Sequence, residues 1–184
     1  MRRWKQVKWA EAGQVSAILG WPKSNHDADP PETVFDRLIE EGREDDAALF
    51  LGQALPRFEA VAWAARTVQE LSLTPSAQDA EALKATLLWL QDPSDGRRRA
   101  AFAIAEQSRG ASPQRQCALA VFFSGGSIAS VDVEPVLPPK DTVGAFAAGA
   151  VLTAATQSGR HAESLRSALA LGDALASGRE TARP

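Results

Sequence analysis

The string Ser124-Gly125-Gly126-Ser127 sets two hydroxyls around a glycine pair. Backbone N–H groups in such a turn can stabilise an oxyanion, and a serine beside a base can attack a carbonyl. His26 and His161 are the two histidines that could supply the base. The competing reading is a helix end, where glycine turns left-handed and serine bonds local backbone. The helix end fits better. The string is not G-x-S-x-G, no strand pattern precedes it, and no G-x-x-x-x-G-K-[ST] phosphate loop is present.

Glu59, Trp63, Arg66 and Glu70 recur at helical spacing. They make either an exposed stripe with an aromatic anchor and a polar rim, or a second packing face with Trp63 under an Arg cover. Glu32–Asp46 holds seven acids and two Arg. That composition suits a solvated face or a dock for a basic partner, and it lacks the EF-hand spacing of a Ca²⁺ site. Arg97, Arg98 and Arg99 fan around a helix axis, so they form no single phosphate-binding face. They are expected to be exposed and paired with acids such as Asp95. Cys117 lies on an Ala/Leu face and reads as a small buried residue rather than a nucleophile. His161 falls between two helices, where it can cap the preceding helix end.

No catalytic set and no metal site emerges. His26, Cys117 and His161 are scattered, whereas a zinc site needs about four converging ligands. One cysteine among 184 residues excludes a disulfide scaffold. A net charge of −3 argues against a dedicated nucleic-acid binder. Arg2, Arg3, Lys5 and Lys8 make a basic start, with Trp4 and Trp9 interleaved. Docking of this stretch on the domain is the commoner outcome. Ala10–Leu19 is too polar for a signal peptide. Residues 142–159 carry no charge but hold six Ala and three Gly. They read as a buried central helix, not a membrane span. These features predict a cytoplasmic protein with no cofactor and no membrane insertion.

The elements that must position these groups are helical. Apolar residues recur with a 3.6-residue period between Pro and Gly marks. The pattern predicts an all-α fold of about eight helices, forming a single orthogonal bundle; a helical-repeat array explains it equally well. One domain spans residues 1–177, with a loop over 22–31 and a long connection over 127–140 that crosses the surface. Residues 178–184 read as a disordered tail. Asp92 is the expected cap of the helix that runs to about Arg109, and Asp141 caps the Ala-rich helix. Gly144 with Ala148, and Ala145 with Gly149, suit close helix approach.

Four strings, taken in order, resemble a bacterial all-helical family of unknown function. They are Leu55-Pro56-Arg57-Phe58-Glu59-Ala60-Val61-Ala62-Trp63-Ala64; Asp92-Pro93 through Arg98 to Ala105-Glu106; Leu119-Ala120-Val121-Phe122-Phe123-Ser124-Gly125-Gly126-Ser127-Ile128-Ala129; and Pro138-Pro139 leading into residues 143–155. The resemblance covers about residues 47–155 and carries over no catalytic residue. It implies an accessory or adaptor role beside type VI secretion components. The reading is a non-enzymatic interaction protein with a protein partner. Its candidate contact residues are Glu59, Trp63, Arg66 and the turn Ser124, Gly125, Gly126 and Ser127. The alternatives are a hydrolase pairing Ser124 or Ser127 with His161, and an immunity-type protein that neutralises a basic partner.

Overall fold

The computed structural model describes residues 3–71, 74–108, 110–130 and 132–182. Arg2 of the basic start, Arg109 at the expected helix end, Val131 of the expected long connection, and Arg183 and Pro184 of the expected tail lie outside the described residues. Among the described residues there are nine helices and no strand. They are α1 (Ala12–Ile18), α2 (Pro31–Glu40), α3 (Glu44–Ala54), α4 (Arg57–Glu70), α5 (Ala77–Gln91), α6 (Asp95–Gln107), α7 (Pro113–Phe123), α8 (Thr142–Gln157) and α9 (His161–Ser177).

Local chemistry fixes several starts. Ser76, Ser94 and Ser112 each accept a hydrogen bond from the backbone N–H three residues on, which satisfies a donor the helix leaves open. Pro31 and Pro113 occupy the first helical position, where a missing N–H costs nothing. Asp92 does not cap α6. Its backbone N–H bonds Leu88 O and closes α5, so Ser94 takes the capping role. The N-terminal stretch is helical only from Ala12. Before that the chain runs as a strap: Lys5 and Gln6 N–H donate to Ala176 O, and Lys8 N–H donates to Ala54 O. Those bonds replace the ones a helix would make. Trp4 is buried beneath the strap, with its indole N–H on Asp173, and Trp9 donates to Gln53 O.

The Ala-rich α8 packs against α7, α3, α4 and α9, as expected of a central helix. Ala147, Ala148, Ala150, Ala154 and Ala155 are fully buried. The closest approach is glycine on glycine. A Cβ on Gly144 would lie 2.6 Å from Gly52 O, and one on Gly52 would lie 2.7 Å from Gly144 O. Close backbone contact therefore builds this core where bulky side chains are few. No helix of the described residues is long and apolar enough to cross a membrane.

Candidate functional site

The site is built around Arg98, a residue expected to be exposed. Instead it is 4% exposed. The reason is its phase, since Arg98 shares a helix face with Ala101 and Ala105, both fully buried. Its guanidinium stacks over the Phe122 ring at 5.0 Å. Nη1 donates to Phe122 O at 2.7 Å, and Nη2 donates to Ser127 O at 2.8 Å. A positive group at the C-terminal end of α7 also meets the negative end of that helix dipole. Asp95 accepts from Arg98 at 2.6 Å and from Arg99 at 3.0 Å. These bonds, led by Arg98, hold the Asp95 carboxyl below its usual range. Arg99 adds bonds to Ser127 O and Ala129 O. Arg97 pairs with Asp92 and donates to Leu88 O.

The turn Ser124–Ser127 is thus clamped from one side by α6. Arg57 of α4 donates to Ser124 O at 3.1 Å from the other. Gly126 takes φ +66°, and a Cβ there would meet the Arg98 guanidinium at 3.2 Å. Only glycine suits both demands. Ser124 Oγ donates to Val121 O. Ser127 Oγ accepts from Ala129 N–H and Val136 N–H, both at 3.1 Å. Ile128 N–H donates to Val136 O at 2.8 Å and closes the neck of a loop. Below the turn, Phe102 stacks on Phe122, and Phe123 stacks on Phe146.

What the neck presents is apolar. Residues 132–137 are all exposed. Val133, Val136 and Leu137 are 57%, 52% and 74% exposed. Among the described residues the other large exposed apolar side chain is Leu88. Asp132 and Glu134 alternate with these side chains, and neither is ion-paired among the described residues. Pro138 is buried again and anchors the far end.

The other candidates fall elsewhere. Trp63 is fully buried and donates to Ala168 O at 2.7 Å. It belongs to the core, which is the packing reading of its stripe. Glu59 and Arg66 are half-buried on the same helix. His161 Nε2 bonds Asp45 at 2.9 Å, and His26 Nδ1 bonds Asp29 at 2.9 Å. Neither histidine hydrogen-bonds Ser124 or Ser127 among the described residues. His161 meets the Thr156 hydroxyl rather than a helix-end carbonyl. The acidic stretch is largely neutralised. Asp36 pairs with Arg3, Glu41 and Asp46 with Arg43, and Glu44 with Arg166. Glu32 is buried and accepts from Arg3 N–H. Cys117 is buried, and desolvation pushes its thiol up to about 12. Among the described residues no group of three His, Cys, Asp or Glu could hold a metal ion.

A family model described as a family of unknown function, DUF6931, matches residues 34–176. The chain belongs to that family. Comparison with curated proteins and with solved structures found no match. The DUF6931 span takes in the Arg98 clamp, the Ser124–Ser127 turn and the loop, and it leaves out the N-terminal strap. Arg98 and the loop valines were missed by sequence reasoning as functional candidates. The signals were present: the phase of Arg98 with Ala101 and Ala105, and the apolar alternation across residues 128–136.

Proposed function

We propose that this DUF6931 protein is a non-enzymatic interaction module that docks a protein partner through the exposed loop residues 132–137. The observation that carries the reading is the pairing of a pinned neck with an apolar tip. Arg98, Arg99 and Ser127 hold both ends of the loop, while Val133, Val136 and Leu137 stand in solvent. Exposing apolar side chains costs free energy unless something covers them. Fixing the loop beforehand lowers the ordering cost of binding. Asp132 and Glu134 among the aliphatics select a partner with an apolar cleft and a basic rim. An accessory or adaptor role in a secretion system is the more specific form of this reading, and it rests on the resemblance of the four sequence strings.

The test is affinity capture from the native cell with two chains in parallel. One is unaltered, and the other carries Val133→Ser, Val136→Ser and Leu137→Ser. The expected result is a discrete partner held by the first chain and lost from the second, at equal thermal stability. Equal capture by both chains would overturn the assignment to the loop.

A further inference from the structure

The second feature lies on different residues and does not depend on the loop. Two cavities flank α4. The first, of about 560 Å³, is lined by Phe58 and Glu59 on its α4 side. The second, of about 470 Å³, is lined by Arg66, Leu87 and Leu90. Glu180, Thr181 and Ala182 line both. The segment after α9 therefore divides a trough along α4 into two halves, the first closed by Gln6, Pro93 and Leu175 and the second by Leu87 and Leu90 of α5.

The way the segment enters is defined. Gly178 takes φ +71° and ends α9. Arg179 and Glu180 N–H both turn back to Ala174 O, at 2.9 and 3.2 Å. Ala182 then packs against the core. Arg66 Nη1 donates to Glu180 Oε2 at 3.4 Å and to Thr181 O at 3.3 Å. The Arg66–Glu180 contact is long and faces solvent, the kind that holds weakly, whereas Arg179 ahead of it is pinned by an ion pair with Asp173. Space remains on both sides of the segment. The α4 lining runs from Phe58 to Gln69, about 16 Å along a helix, which leaves room for about five extended residues.

We propose that this trough is a binding site for an extended peptide segment bearing one carboxylate, and that residues 180–182 are its resident, displaceable occupant. Arg66 receives the carboxylate and the next carbonyl. Ala62, Leu87 and Leu90 form a floor for a small side chain beyond it. Glu59 at the other end repels a second carboxylate and favours a cation there. A partner segment of this chemistry competes with the chain's own residues, so the occupant sets a threshold for binding.

The experiment uses full-length chains and a fluorescent, end-capped peptide of residues 178–184. Glu180→Lys in the chain weakens the resident segment by setting Lys against Arg66. By anisotropy the peptide is expected to bind this variant roughly tenfold more tightly than the unaltered chain, where the resident competes at high effective concentration. Adding Arg66→Glu to that variant is expected to abolish binding. A peptide with lysine in place of Glu180 is expected to bind the chain carrying Arg66→Glu alone. Absence of peptide binding to the Glu180→Lys chain with unaltered far-UV signal and Tm would overturn the proposal. So would binding indifferent to the sign of charge at residue 66, which remains readable if either variant folds poorly.

Discussion

The Arg98 guanidinium spans the gap between Phe122 O and Ser127 O, at 2.7 and 2.8 Å, and so joins the end of α7 to the last residue of the turn from which the exposed loop departs. One buried cation thereby does two tasks. It satisfies a helix-end carbonyl that α7 leaves open, and it fixes where the loop leaves the bundle.

Removing that cation is expected to cost stability as well as loop order. Arg98→Met leaves Phe122 O without its side-chain donor and Ser127 O with Arg99 alone, a loss of about 1–3 kcal/mol. Arg98→Lys is expected to recover only part of it, because an ammonium cannot reach both carbonyls and Asp95 as a planar fork does. Urea midpoints of the three chains measure the order. Equal midpoints for Met and Lys variants would show that the fork geometry is not what matters.

The α3–α8 contact makes a second prediction. Gly144→Ala places a methyl on the Gly52 carbonyl, so the helices must part, at a cost of about 1–3 kcal/mol. Gly125→Ala meets nothing within 4 Å. It is expected to stay within about 0.5 kcal/mol of the unaltered chain. Thermal unfolding of both variants checks the contrast.

Lys8 makes stability rise with pH over a defined window. Burial, followed by the neighbouring Arg57, lowers its pKa from 10.5 to about 8. Between those values the unfolded chain holds the proton and the folded chain has released it. The unfolded state then binds more protons, so folding strengthens as pH climbs from about 8 to about 10.5. Lys8→Gln removes this contribution. The expected outcome is a higher Tm than the unaltered chain at pH 7 and a narrowing of that gap toward pH 10.

Cys117 is expected to resist thiol reagents while the protein is folded. It is fully buried, and its thiol ionises only near 12. A coloured disulfide reagent should label it only in strong denaturant. Rapid labelling in native buffer would reveal an opening of the α7 core.

Much of the fold was legible because local rules and tertiary packing agree. The helical period between Pro and Gly marks matches the helices observed, and the charge-free stretch packs as α8 among four neighbours. The disagreements have physical causes. Asp92 and Ser94 both qualify as caps, and only the closing bond of α5 to Asp92 decides between them. The strap around Trp4 depends on carbonyls of Ala54 and Ala176, far away in sequence, which no local pattern reveals. Arg98 looks like one of three surface cations until its phase with Ala101 is weighed against its charge. Within the candidate site, the helix end at Ser124 was legible. The clamp was not, because it needs α6 and the turn to meet.

The central claim is that the loop tip is where a partner sits. A photo-crosslinking side chain at Leu137 of the full-length protein, expressed in its native cell, tests it most directly. A control carries the same group at Lys84, exposed on α5. The account predicts one discrete crosslinked species from position 137, absent from position 84, and lost when Val133→Asp is added without change in Tm. No discrete species from position 137, or the same species from both positions, would contradict it.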